Sequence, residues 1–573
     1  MVARSTLKKI AQYSVLGQRL YRAYRRREAR QYVPDWERIL GSEPGRWEEA
    51  RRAAASGKRI LLATGAGGHP APPLVDSLLA VALTLRGAAV HFSVCDRALP
   101  ACLMAEVGLM PPRRLARRGP QSYFCWGCFE RADALYAPLS LPVHRQSRYC
   151  TSEEVEEAQE VAKSLPLEQI PAHRVDDVAV GEHALAGALR FFARASLDGQ
   201  AAGEAVLRRY LQAAMLTLFA TRRLLRKTDC ECVCVNHGIY VPHGIVAEVA
   251  RREGRRLVAW NVAYRKRCFI FSHSDTYHHT LMNEPAAAWE NIPWSAERED
   301  DIVQYLRSRR RGGRDWIAFQ SQRPKEERGE ISRDLAGIDW DRPCVGMLTN
   351  VAWDAQLHYP ANVFRNMFEW LVQTVEFFAK RDDLQLIIRV HPAEVSGDIP
   401  SRQKSADELR TAFPQWPRNV FVIPPSSRVS TYAVMDACNA VIIYGTKTGV
   451  ELTSMGIPVI VAGEAWIRNR GVTIDARSRE EYFRTLERLP FPSRMEPTLV
   501  ERARKYAYHF FFRRMIPVDQ VAPTGVEPPF HIAAKDLRAF EPGRSKGLDV
   551  ICDGILTGSP FIYPAEEYGI GRE

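Results

Sequence analysis

No run in this 573-residue chain approaches the roughly eighteen unbroken apolar residues that a membrane-spanning helix requires, and the N-terminus lacks the compact apolar core of a signal peptide. The expectation is a cytoplasmic protein. With no secretory signal, the twelve cysteines read as reduced thiols and not as a disulfide framework. No internal repeat is present beyond an alternation of strands and helices. With 46% hydrophobic and 10% aromatic residues the chain is globular, and its length suggests two domains with appendages.

Acidic residues are in deficit: 67 against 79 Lys and Arg, a formal charge of +12. Part of the excess sits at the front. Between Arg4 and Arg30 the only acid is Glu28, and Leu7, Ile10, Val15, Leu16 and Leu20 are interleaved with the cations. Such a segment reads either as a basic amphipathic helix on an anionic membrane face or as a solvated helix of its own domain. The broken, charged stretch 290–340 reads as a linker or domain surface, and its basic runs as solvated rather than nucleic-acid binding.

Two stretches alternate. "KRILLATGAGGHPAPPLVDSLLAVALTLRGAAVHFSV" has the order strand, glycine turn, helix, strand, and "CVCVNHG" to "RRLVAWN" repeats it. Residues 150–228 between them are mainly helical. From Cys344 to Gly463 a second set follows, with strands at "CVGMLTNV", "LQLIIRV", "NVFVIPP", "AVIIYG" and "PVIVAG". The fold expected is α/β: two doubly wound Rossmann-like domains facing a cleft, with a basic N-terminal helix and a C-terminal helical extension. The expected segments are 1–55, 56–330 (acceptor domain with helical insertion), 331–490 (nucleotide domain) and 491–573.

In such sheets ligands bind at the carboxyl ends of the strands. "LIIRVHPAE" ends there on Arg389 and His391, with Pro392 stopping the ladder. "YGTKTGVELTSMG" turns through Thr446, Lys447 and Thr448 into a helix whose start suits an anion. Full cations would be needed as well, and Arg389, Lys447, Arg468 and Arg470 are candidates. His391 can bond or protonate a phosphate oxygen. Glu451, one turn into the helix, can accept from ribose hydroxyls or simply favour the helix dipole. The ligand these residues imply is a phosphorylated nucleotide. On the other domain Gly67, Gly68 and His69 form a glycine loop that admits an acceptor to the backbone and supplies a base, or is a plain turn. Asn236, His237, Tyr240 and His243 could hold sugar hydroxyls or cap a helix. Asp354 is a second candidate base, or an N-cap. Cys95, Cys102, Cys125 and Cys128 read as a closed zinc site or as core thiols. His273, Asp275, His278 and His279 match no metal motif and read as polar surface.

The spacing of Glu451, Gly456 and Pro458 resembles the donor segment of GT-B glycosyltransferases, and "ATGAGGHPAPPL" is similar to their N-terminal glycine loop. From about Lys58 to Phe483 the chain resembles the bacterial capsule polysaccharide biosynthesis family, through "RVHPAE" and "TKTGVELTSMGIPV". That resemblance implies a glycosyltransferase with a nucleotide-sugar donor, CMP-linked in preference to UDP-linked, and a surface polysaccharide or lipid-linked acceptor. It implies His391 and the Thr446–Thr448 turn at the phosphate and no metal or other cofactor for catalysis; His69 or Asp354 is the base expected from chemistry and loop position. A paired-acid-glycine motif of the sialyltransferase type is missing. The alternatives are a CDP-polyol phosphotransferase, a nucleotide-sugar epimerase, or a noncatalytic capsule-assembly scaffold. The location implied is cytoplasmic or peripheral on the inner membrane face.

Overall fold

The computed structural model describes residues 17, 20, 23, 33–120, 122–310, 314–316, 324–355, 360–525 and 529–570. Nearly all of the basic leader lies outside them. Two units emerge: one comprises residues 1–192, 197–277 and 514–573, the other 193–196 and 278–513.

In the first unit the strands are β1 (Arg59–Gly65), β2 (Ala89–Val94), β3 (Val143–Arg145), β4 (Cys232–Asn236), β5 (Arg256–Val262) and β6 (Cys268–His273). β3, β2, β1, β4 and β5 lie side by side in that order, all parallel, and β6 adds antiparallel to β5. Ile60, Leu61, Leu62 and Ala63 are buried on both faces of β1, which is why that strand reads as a continuous apolar run and not as an alternation. Helix Ala71–Leu85 follows, with Pro72 and Pro73 in its first turn, where no N–H partner is needed. The expected helical insertion contains Ser152–Ser164, opened by a Thr151–Glu154 capping box, Val180–Phe192, and the 26-residue Gly203–Thr228.

The second unit holds β7 (Cys344–Leu348), β8 (Gln385–Arg389), β9 (Val420–Ile423), β10 (Ala440–Ile443), β11 (Val459–Val461) and β12 (Ile474–Asp475). All are parallel, in the order β9, β8, β7, β10, β11, β12. Helix Met367–Phe378, capped by Asn366, lays Trp370, Leu371, Val375 and Phe378 into the core of this sheet. Each unit is therefore doubly wound, with strand order reversing beside its first strand.

The units divide the chain differently from the expected segments. Residues 278–330, expected to end the first domain or link it to the second, fall within the second unit. Helix Ala296–Arg309, opened by a Ser295 cap, buries Ile302, Tyr305 and Leu306 on one face, so the charged stretch contains an amphipathic element. The tail is not an appendage either. β13 (Ile516–Pro517) pairs antiparallel with β6 and extends the first sheet, and helix Lys546–Thr557 buries Leu548, Ile551, Cys552 and Ile555.

Candidate functional site

In the second sheet the order reverses between β7 and β10, and the register sets Leu348 beside both Arg389 and Ile443. The loops after β7, β8 and β10 therefore leave the sheet at one level. They carry Thr349 and Asn350, His391, and Thr446 to Thr448, three sets far apart in sequence. Thr349 ties two of them together: its Oγ1 accepts the backbone N–H of His391 at 2.9 Å. Asn350 Oδ1 is buried at this point without a hydrogen-bond partner.

His391 Nδ1 accepts the N–H of Ala393 at 3.1 Å, which assigns the proton of the neutral ring to Nε2. Burial, reinforced by the charges of Lys447 and Arg389, pushes this imidazole down to about 4. It is neutral at pH 7, a hydrogen-bond donor and not a resident cation. Thr446 and Thr448 approach hydroxyl to hydroxyl at 3.1 Å, and Thr446 Oγ1 accepts the Thr448 N–H at 3.4 Å. The expected open amide at the helix start is thus locally engaged, through a long bond.

Lys447 and Glu451 belong to a buried charge network. Glu451 Oε1 accepts from Lys447 Nζ at 2.8 Å and from Arg309 Nε at 3.2 Å, and its Oε2 from the Tyr432 hydroxyl. Arg309 also reaches Asp315 and, at 2.9 Å, the Tyr305 hydroxyl. Burial alone would raise the Glu451 carboxyl, but Lys447 and Arg309 outweigh it and hold it at about 2. This corrects the reading of Glu451 as a carboxylate waiting for ribose, since both of its oxygens are already bonded. Arg309 was missed because it sits in a basic run that reads as solvated; its side chain is 5% exposed.

The remaining cations are corrected too. Arg389 donates to the carbonyls of Pro424 and Ser427 and to Thr431 Oγ1. Arg468 holds the carbonyls of Gly463 and Ala476, at 3.0 and 2.6 Å, and Arg470 those of Glu284 and Leu281, over the ring of Tyr506. All three are buried. They pin loops, because a buried guanidinium must satisfy its donors with whatever acceptors surround it. Asp354 is exposed on the loop after β7.

The first sheet reverses its order between β1 and β4, and there the structure brings together Gly67, Gly68 and His69 with Asn236, His237, Tyr240 and His243. Gly65 is left-handed, and a Cβ on it would lie 2.9 Å from Pro242. A Cβ on Gly67 would meet the Cys128 carbonyl at 2.6 Å, and one on Gly68 would meet Cys128 Sγ at 3.2 Å. These two glycines are required by helix Ser122–Tyr136 behind them, which corrects the reading of their smallness as room for an acceptor. His243 Nε2 bonds the Thr64 carbonyl at 3.0 Å and tethers β1 instead of presenting to a ligand. Asn236 Nδ2 donates to the Trp260 carbonyl at 3.2 Å. His237 stacks on Tyr240 at 5.8 Å, and both have left-handed backbone, the kind of strain that collects at working loops. His69 Nδ1 is buried without a partner. Burial, followed by the charges of Arg190, His243, His237 and Arg131, pushes His69 down to about 3.

The four cysteines expected as zinc ligands or core thiols lie near enough that Cys95 and Cys102 act electrostatically on Cys125 and Cys128. Among the described residues no group of three or more His, Cys, Asp or Glu is placed to hold a metal ion. Cys125 and Cys128 lie a turn apart on a helix, Cys128 Sγ accepts the Gly68 N–H at 2.9 Å, and burial raises all four thiols.

Two Rossmann-like α/β domains, each with polar residues gathered where strand order reverses, define the class. Residues 342–505 match the family of capsule polysaccharide biosynthesis proteins, and that span contains the β7, β8 and β10 loops. Among solved structures the chain is similar to Thermosulfurimonas dismutans KpsC, beta Kdo 2,4 transferase (15% identity over 48% of this chain and 79% of that one, TM-score 0.32). It is also similar to the beta Kdo 2,7 transferase of the same organism's KpsC (12%, 56% and 88%, 0.29), and to UDP-GlcNAc 2-epimerase from Neisseria meningitidis (8%, 79% and 98%, 0.24). No curated protein matches by sequence.

Proposed function

We propose that this protein is a glycosyltransferase of capsule or surface-polysaccharide synthesis that takes a sugar from a nucleotide donor, CMP-linked in preference to UDP-linked, and passes it to a glycan or lipid-linked acceptor. One observation carries the reading: at the reversal point of the second sheet a buried Asn350 oxygen lacks a partner, beside loops that hold a hydrogen-bond-donating imidazole, two hydroxyls and a lysine. Buried polar atoms are ordinarily satisfied; this acceptor oxygen suits a ligand hydroxyl or N–H, while the imidazole N–H, hydroxyls and lysine of the neighbouring loops suit a phosphate, and a phosphorylated nucleotide carries both. The family match over the same residues supports it.

In this reading His391 Nε2–H and the hydroxyls of Thr446 and Thr448 bond the phosphate nearest the sugar. Lys447 exchanges its carboxylate for a phosphate oxygen, and the pair Glu451–Arg309 remains behind. Negative charge growing on the leaving phosphate is then met by donors already in place. The acceptor's hydroxyl proton passes to the Asp354 carboxylate, since the depressed His69 imidazole is a poor proton acceptor. No catalytic metal is invoked, since side-chain donors supply the charge stabilisation.

A thermal-shift panel of CMP, CDP, UDP and GDP tests the donor site without any acceptor. Stabilisation by CMP, lost in His391→Ala, is expected; no shift with any nucleotide would remove the basis of the proposal. Incubation with donor sugars then separates transfer, which frees nucleotide, from epimerisation, which does not.

A further inference from the structure

Between Val107 and Phe129 there is no acidic residue, while Arg113, Arg114, Arg117 and Arg118 all fall within that stretch. The four belong to helix Pro112–Arg118, whose one buried side chain is Leu115. The helix is fixed from beneath: Arg209 donates to the carbonyls of Ala116 at 2.9 Å and Arg117 at 3.0 Å. All four helix arginines are exposed, and among the described residues none forms an ion pair.

An aromatic stands beside them. Trp126, on helix Ser122–Tyr136, is 43% exposed with the Arg97 guanidinium 4.4 Å from its ring. The loop after β2 joins the two features. Its Pro100 packs against Gly119 at the end of the arginine helix, so that a Cβ there would lie 3.3 Å from the Pro100 carbonyl, and its Arg97 covers Trp126. Asp96, the acid of that loop, is bonded to Ser147 through both N–H and Oγ. Arg131 of the tryptophan helix donates to the Gly68 carbonyl at 2.9 Å, so that helix packs against the glycine loop of the candidate acceptor site.

We infer that helix Pro112–Arg118 and Trp126 form a docking face for an anionic lipid bilayer, presenting the Gly67–His69 loop to an acceptor held at that surface. Charge complementarity selects the partner. Arginines without counter-ions are drawn to a negative leaflet, and an exposed indole flanked by cations suits the headgroup boundary, where its apolar body and polar N–H are both accommodated. A soluble anionic glycan, whose sugar rings can stack on an indole, is the competing occupant, and the test separates it from the bilayer. In sequence the face is distinct from the basic leader between Arg4 and Arg30. Only the role of presenting an acceptor rests on the proposed glycosyltransferase; bilayer binding does not.

The test is co-sedimentation of the full chain with phosphatidylcholine vesicles, with and without phosphatidylglycerol. Binding is expected only to the anionic vesicles, weakening with salt. The R113Q/R114Q/R117Q/R118Q variant should lose at least about tenfold in partitioning, W126S should weaken binding several-fold, and the corresponding four-lysine variant should retain most of it. Unchanged melting of the glutamine variant and an unchanged thermal shift with CMP verify that fold and donor site survive. Equal partitioning of wild type and glutamine variant, or no binding to anionic vesicles, overturns the inference. So does arginine-dependent capture of a soluble anionic polysaccharide in place of vesicles. Loss of the CMP shift in the wild type would count against the enzyme reading alone.

Discussion

Lys447 and Arg309 share one oxygen of Glu451, at 2.8 and 3.2 Å, although Arg309 precedes the other two by well over a hundred residues. The shared oxygen makes the lysine exchangeable: a phosphate that draws Lys447 away leaves the carboxylate still paired.

Arg309→Met should therefore cost more stability than Lys447→Met. The first leaves Asp315 and Glu451 short of a buried cation, a loss of about 3–5 kcal/mol; the second leaves Arg309 in place. Urea denaturation measures both. Lys447→Met should instead diminish the thermal shift with CMP. If the Arg309 variant loses less than about 1 kcal/mol, the network contributes little to the fold.

Nucleotide binding should take up protons. His391 sits at about 4 in the free protein because burial and two neighbouring cations oppose its charging; an anionic phosphate at Nε2 would raise it, the added proton going to Nδ1 in place of the bond that Nδ1 accepts from the Ala393 N–H. Affinity for CMP should then rise as pH falls from 7 toward 5. Calorimetry in buffers of different ionisation heat reads the uptake directly, and its absence in His391→Ala assigns it. Equal uptake in that variant would place the titrating group elsewhere.

Asp76 gives a pH dependence of the same hand, in stability instead of affinity. It is buried beneath the first sheet, accepting from Thr64 Oγ1 at 2.7 Å, and burial raises it to about 7. Between the unfolded value of 3.8 and 7 the native state binds the extra proton, so wild-type stability falls as pH rises through that window. Asp76→Asn removes the penalty. Its stability advantage over wild type should be roughly 2–3 kcal/mol greater at pH 8 than at pH 5, read from chemical denaturation at both; a constant difference would contradict it.

Two glycines on either side of one contact should behave oppositely. Gly67→Ala drives a Cβ against the Cys128 carbonyl and Ala132 and should cost about 1–3 kcal/mol. Gly127→Ala, with nothing within 4 Å of its Cβ position on the helix, should be neutral or stabilising by up to about 1 kcal/mol. Thermal melts of the pair decide it.

Period and punctuation were enough to find the sheets. The apolar runs of β1, β7, β8 and β10, and the turn formers after them, lie where the sequence pattern places them, because strands covered on both faces must be apolar throughout. The placement of His391 and the Thr446–Thr448 turn just beyond strand ends was legible for the same reason: in a parallel sheet polar residues collect where the covered strands stop. The roles of Arg389, Arg468, Arg470 and Glu451 were not legible. Whether a charged side chain meets a ligand or a carbonyl depends on what the chain brings opposite it, and for Arg470 that was Leu281 and Glu284.

By itself the sequence determined the doubly wound class and the strand ends at which chemistry can occur, since local periodicity is a property of neighbours along the chain. Only the tertiary structure decided which cations are already spent, that Arg309 joins Lys447 on Glu451, and that the tail from Arg514 returns to the first unit. Those outcomes depend on contacts between segments hundreds of residues apart, where desolvation makes a charge bind the nearest available partner and no spacing in the sequence records which partner that is.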